Sequence, residues 1–200
     1  MDITWLGHAS VRIRSGQTSL VMDPFPNSIG LRIPPQQAEA NVVTISGPEL
    51  EVSAANALAD DPAPIVINGP GEYEAAGFRI KGIRTPRYAP EGEVAWNTAY
   101  VVELEGITLS HLGDPGRLLS AREVEALASP HILILPVGSK TGFSAADAVE
   151  MVNSISPRVV IPVHYAHDGN QSDLRELAPF LAELGAIDCH QLLRSIAAHD

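Results

Sequence analysis

Four short stretches hold the side chains able to do chemistry. The stretch 5-WLGHAS-10 carries His8, 109-LSHLGDPG-116 carries His111 and Asp114, and 161-IPVHYAHD-168 carries His164. The fourth, 42-VVTISGPELEV-52, runs from apolar residues through the breaker pair Gly47-Pro48 into Glu49 and Glu51. His and Asp drawn from separate segments are the usual stock of a metal site. An oxygen-rich set suits harder ions such as Mg²⁺, Mn²⁺ or Ca²⁺. Each signal is weak alone. A lone His at a strand end is more often hydrogen-bonded and structural. Two acids after a breaker also suit a solvated loop with a helix N-terminus behind it.

The elements that must position these groups follow from hydrophobic patterning. Residues 2–6, 10–15 and 18–23 read as strands, with Ser15-Gly16-Gln17 as a hairpin turn. A Pro-rich loop runs from Pro24 to Pro35, a strand covers 41–46, and an Ala-rich helix covers 52–59. Residues 65–67 (IVI) read as a buried strand, and 69–83 as a turn followed by hairpin strands. A second hairpin covers 97–104 and 107–111, turned at Glu105-Gly106. Ser120 with Glu123, and Ser144 with Asp147, have capping-box spacing and open helices to about Ala128 and Ser154. The continuous apolar run 132–137 predicts a strand covered on both faces, and 159–163 another strand. Ser172 is expected to open a last helix closed by Gly185, with Pro179 kinking it or shifting its start. Strands dominate early and strand–helix alternation late, which predicts one mixed α/β domain over residues 1–200 with helices outside sheets. Catalysts and ligands of such folds gather at strand ends.

Composition narrows the function classes. A chain of 200 residues with 45% apolar residues has enough material for a substantial core. No apolar run reaches the roughly 18 residues of a membrane span, and the N-terminus lacks the pattern of a signal peptide. Cys189 is the single cysteine, so no disulfide forms within the chain. These features predict a cytoplasmic protein without a membrane partner. The net charge of −11 argues against a nucleic-acid surface.

The motifs 4-TWLGHASVRI-13, 21-VMDPF-25, 69-GPGEYE-74, 111-HLGDPG-116, 135-LPVG-138 and 157-PRVVIPVHY-165 together resemble the metallo-β-lactamase superfamily. Within it, the chain is similar to the branch of L-ascorbate-6-phosphate lactonase and predicted Zn-dependent hydrolases. The resemblance covers nearly all of the chain and implies an α/β fold, the four-layer αβ/βα sandwich. It also implies one or two zinc, manganese or iron ions. The implied ligands are a His-x-His-x-Asp-His run, a later His, an Asp in a Gly-Asp turn and a final His. Gly113-Asp114 matches the turn and His164 the final His. The run falls on Gly47, Glu49, Glu51 and Val52, and the later His near Arg87.

Gly47 and Val52 cannot bind a metal by side chain, and the Arg87 guanidinium stays protonated. Asp114 and His164 remain as ligands, and Glu49 and Glu51 stand as oxygen candidates. The expectation is therefore a degenerate site with no tightly bound metal. The protein would act as a non-catalytic binding or scaffold protein, with a small anionic ligand or a protein as partner. Arg87 would pair with the carboxylates and stand in for the lost metal charge. The alternative is a hydrolase of a lactone or phosphate ester, using a single Zn, Mn or Mg ion on Asp114, His164 and one or both of Glu49 and Glu51. Whether the chain is an enzyme, and whether it forms a homo-oligomer, stay open. His8, Asp23, Arg87 and His111 are expected to line or support the cleft, with Asp23 present for packing and turn geometry. His131, His167, His190, His199 and Cys189 receive no role.

Overall fold

Strand residues alternate between two environments, and that alternation builds the layers. In the computed structural model, which describes residues 1–34, 37–47, 63–87 and 95–185, the first sheet holds β1 (Asp2–Gly7), β2 (Ser10–Ser15), β3 (Thr18–Met22), β4 (Val42–Thr44) and β5 (Ile65–Ile67), in that spatial order. The second sheet has the spatial order β11-β10-β9-β8-β7-β6. Its strands are β6 (Gly71–Ala75), β7 (Phe78–Pro86), β8 (Trp96–Leu104), β9 (Ile107–His111), β10 (Ile132–Pro136) and β11 (Val159–Val163).

Between the sheets, Val11, Ile13, Leu20, Met22 and Val42 pack against Phe78, Tyr100, Val102 and Ile134. The neighbours of these residues, at odd spacing, face outward. Ala99, Val101, Leu133 and Leu135 meet helices α1 (Ala121–Ala126), α2 (Ala145–Ile155) and α3 (Ala178–Leu184). Val21 and Val43 meet Phe25, Ile33 and Ala38 of the loop after β3. Fully burying each large apolar side chain contributes about 1.5–3 kcal/mol, so this alternation holds the layers in register.

Both capping boxes form: Ser120 with Glu123 and Ser144 with Asp147 exchange side-chain and backbone hydrogen bonds. The turn at Glu105-Gly106 has positive φ at both residues, as a two-residue hairpin turn requires.

Among the described residues the α-helices all cover the outer face of the second sheet, and the segment after β3, with its short 3-10 turn Asn27–Ile29, packs on the first; the expected 52–59 helix lies outside the described residues. Two local expectations change. Strand 65–67 is only partly buried. Ile67 faces the core, but Ile65 and Val66 are 55% and 50% exposed, because β5 is the last described strand of its sheet. The last helix begins at Ala178 rather than after Ser172, with Pro179 in its first turn. Pro has no amide proton and clashes with the carbonyl four residues back, so a helix accepts it only at the start.

Strand direction gathers the chemistry. β1, β3 and β4 run the same way, since β2 is antiparallel to β1 and β3 and β4 is parallel to β3. By the same reasoning β7, β9, β10 and β11 run together. Their C-terminal ends therefore deliver His8, Asp23, Gly47, Arg87, His111, Asp114 and His164 to one edge of the sandwich. Hydrogen bonds from one sheet to the other close that edge: His164 N to His8 O at 2.8 Å, Thr98 N to Ser46 O at 2.8 Å, and His111 Nε2 to Ala9 O at 2.9 Å.

Candidate functional site

Asp114 is held from its backbone outward. Asn97, buried on β8, accepts the Asp114 amide at 2.9 Å. Its Nδ2 donates to Leu112 O at 2.7 Å and to Thr85 Oγ1 at 2.8 Å. Gly113 makes this possible. Its φ is +67°, and a Cβ there would fall 2.2 Å from Asn97 Oδ1 and 2.6 Å from Ser46 Cβ. The carboxylate then meets two partners. Oδ2 lies 3.5 Å from Arg87 Nη2, and Oδ1 lies 3.7 Å from His164 Nδ1. The Arg87, Asp114 and His164 side chains are only 23%, 16% and 13% exposed, so these contacts are poorly screened by water.

His164 sits just past β11 with φ +56°, a left-handed conformation uncommon outside glycine. Gly138 N donates to its carbonyl at 3.0 Å. Its ring meets that of His8 edge-on, with centroids 4.5 Å apart. His8, at φ +51°, ends β1 in the same left-handed conformation. Its amide donates to His167 Nε2 at 3.4 Å, and its Nδ1 lies 3.4 Å from Asn170 Nδ2. Burial, reinforced by the nearby His164, pushes the His8 imidazole down to about 3, so it is neutral at pH 7. Trp5 stacks on Tyr165 at 5.2 Å and meets His167 edge-on at 4.8 Å. His167, given no role from sequence, thus belongs to the wall behind His8.

His111 and Asp23 lie deeper, and their bonds explain them as structure. His111 Nε2 donates to Ala9 O, and its Nδ1 accepts the Gly113 amide at 3.0 Å. Both ring nitrogens are occupied, and the pattern requires the neutral Nε2–H tautomer. Asp23 Oδ2 lies 3.7 Å from that accepting Nδ1, which makes the approach a packing contact rather than a charge pair. Asp23 Oδ1 accepts the Ser46 amide at 2.8 Å and fixes the end of β4.

One loop was not singled out from sequence. Residues 138–143 (GSKTGF) join β10 to α2. Arg175 Nη1 donates to the carbonyls of Ser139 and Phe143, and Nη2 to that of Lys140. The glycines in this loop, and an Asn near the start of the mostly apolar β8, were the available sequence signals. Glu49, Glu51 and Val52 lie outside the described residues, and Gly47 brings no side chain. An open groove of about 450 Å³ lies toward the opposite edge. The in-register charge ladder Glu74–Arg79–Glu103 lines it, as expected of a solvated sheet face.

Among the described residues, no group of three or more His, Cys, Asp or Glu side chains is placed to hold a metal ion. A dication suits anionic or neutral donors, whereas the guanidinium beside Asp114 is permanently positive. The described residues do not fit a two-metal centre.

Two mixed sheets face to face, helices on an outer face and polar residues at one strand-end edge define the metallo-β-lactamase architecture. The beta-lactamase superfamily domain matches residues 2–164, and the chain belongs to this superfamily. It is similar to a protein of the metallo-beta-lactamase superfamily from Thermotoga maritima, at 31% identity and a TM-score of 0.72, over 90% of this chain and 84% of that one. It is also similar to UPF0173 metal-dependent hydrolases. The one from Archaeoglobus fulgidus is 26% identical over 82% of this chain and 83% of its own. The one from Thermoplasma acidophilum is 25% identical over 98% and 96%. No helix among the described residues is long and apolar enough to cross a membrane.

Proposed function

We propose that this protein is a cytoplasmic, non-catalytic member of its superfamily. It uses the strand-end edge to bind a small anionic ligand or a protein partner. The observation that carries this reading is the Arg87–Asp114 contact at 3.5 Å. A fixed positive charge already neutralises the carboxylate that would otherwise serve a metal. The family reaction relies on a metal to make hydroxide near neutral pH and to polarise the scissile group.

A second reading has its own support. Asp114 Oδ1 and His164 Nδ1 face each other at 3.7 Å, and relatives are named metal-dependent hydrolases. A single Zn, Mn or Mg ion on these two groups, with one or both of Glu49 and Glu51, would serve a lactone or phosphate-ester hydrolase. The narrower likeness to the ascorbate-phosphate lactonase branch rests on sequence motifs alone.

Plasma mass spectrometry of tag-free protein purified without chelator separates the two. The first reading expects background metal in the wild type and in an Asp114→Ala/His164→Ala double mutant, even after incubation with Zn²⁺ and Mn²⁺. Near-stoichiometric metal, lost in the mutant, would establish the second and direct assays to lactones and phosphate esters.

A further inference from the structure

Asp114 is aimed before anything pairs with it. Asn97 fixes its backbone amide, and Gly142 packs so close that a Cβ there would stand 2.8 Å from Oδ1. His164 is fixed as well, through its amide to His8 O and its carbonyl to Gly138 N. Two metal-ligating groups thus converge on a point set by the backbone. Just past the end of β7, Arg87 Nη2 stands 3.5 Å from Oδ2 of the same carboxylate. An extended arginine and an imidazole plus one metal–nitrogen bond of about 2.0–2.1 Å span similar distances from the backbone. A histidine at residue 87 would therefore bring a metal-ligating nitrogen toward the carboxylate that Arg87 now meets.

We propose that Arg87 is a built-in counter-ion. It supplies the positive charge that Asp114 requires and keeps divalent cations out. Exchanging it for histidine then opens a site for a borderline ion such as Zn²⁺, with Asp114 and His164 as the other donors. The proposal rests on the reading that the wild-type edge holds no ion, and it adds the residue responsible.

The test is Zn²⁺ titration, by calorimetry and by metal content after gel filtration, of wild type, Arg87→Met and Arg87→His. The expected result is uptake close to one ion per chain in Arg87→His alone. That affinity should exceed the Arg87→Met value by about tenfold or more, and fall by a similar factor when Asp114→Asn or His164→Asn is added. A folded Arg87→His that binds Zn²⁺ no better than wild type overturns the proposal. Tight uptake by wild type overturns the non-catalytic reading and this proposal with it. If Arg87→His does not fold, denaturant titration of Arg87→Met in the wild-type and Asp114→Asn backgrounds decides. A clear loss in the first and little in the second supports the counter-ion role; equal losses in both refute it.

Discussion

Gly142 stands against Asp114 with no room for a methyl group between them: a Cβ on residue 142 would lie 2.8 Å from the Asp114 Oδ1 and 2.9 Å from Ser139 Oγ. Behind Gly142, three backbone carbonyls of the same loop are gripped by Arg175. The loop cannot retreat, so the carboxylate would have to move.

Gly142→Ala is therefore expected to destabilise by about 1–3 kcal/mol, the usual range for overpacking. Gly138→Ala should cost more, because its Cβ would fall 2.6 Å from backbone atoms of Arg175, His164 and Tyr165, which yield less than a side-chain tip. Gly69→Ala is the control, with nothing within 4 Å of the added carbon. Urea unfolding of the three variants checks the order, and a neutral Gly138→Ala would contradict the packing described.

Asn97 carries the local scaffold. Asn97→Ala removes the partners of the Asp114 amide and the Leu112 carbonyl, at half-buried and buried positions, and one of the two bonds of the Thr85 hydroxyl, which keeps its bond to the residue 97 carbonyl. Leaving such groups unpaired costs about 1–3 kcal/mol each before relaxation, and a total loss of about 2–4 kcal/mol is expected. Asn97→Asp should do no better, since it loses the donors and adds a negative charge beside Asp114. Equilibrium denaturation reads both; loss below about 0.5 kcal/mol would show that water replaces the amide without penalty.

The sequence offered Ser120, Ser144 and Ser172 alike as helix openers, but only the first two are caps. Ser120→Ala and Ser144→Ala should each cost about 1 kcal/mol. Ser172→Ala should stay within about 0.5 kcal/mol of wild type. Thermal melts of the three single variants would expose the last helix as starting earlier if Ser172→Ala matched the others.

Acid should act through His8. Its folded pKa is lowered to about 3 from an unfolded 6.5, mainly by burial and then by His164. The unfolded chain binds the extra proton between these values, so stability is complete above pH 6.5 and falls as pH drops toward 3. The contribution lost between pH 7 and pH 5 is about 2 kcal/mol. Asn tolerates the left-handed backbone of residue 8, so His8→Asn should flatten this part of the profile. An unchanged slope in urea titrations at pH 7, 6 and 5 would assign the acid sensitivity to other groups.

Much of the fold was legible because alternation and capping are local. Strands 10–15, 107–111 and 132–136 and both capping boxes follow from residues within a few positions of one another. Ile65 and Val66 depart from the buried strand that their residue types predict, because an apolar run does not tell an inner strand from the last described one in its sheet. That depends on which strands pair, a long-range fact. The meeting of the strand ends was legible: those that carry His8, Asp23, Arg87, His111, Asp114 and His164 come to one edge. Their separate duties were not. His111 and Asp23 spend their polar atoms on backbone amides and a carbonyl, while Arg87 and His164 address Asp114, and nothing in 83-IRTPRY-88 or 161-IPVHYAHD-168 distinguishes those fates. Asn97, Gly142 and Arg175 act on partners 12 to 36 residues away, so their importance emerged only from contacts.

The bonds from His164 to His8, Thr98 to Ser46 and His111 to Ala9 make a seam along one edge of the sandwich. The other edge is joined, among the described residues, by exposed contacts of Glu105 with Ser15 and the Met1 amine. Solvent exchange should therefore be graded along the strands. The Thr98 and His164 amides would exchange only when the sheets part, among the slowest in the chain, while the Glu105-Gly106 turn opens first. Breathing of this molecule would start at the end remote from Asp114 and His164, and the rim around those two residues would be the last part to lose its shape.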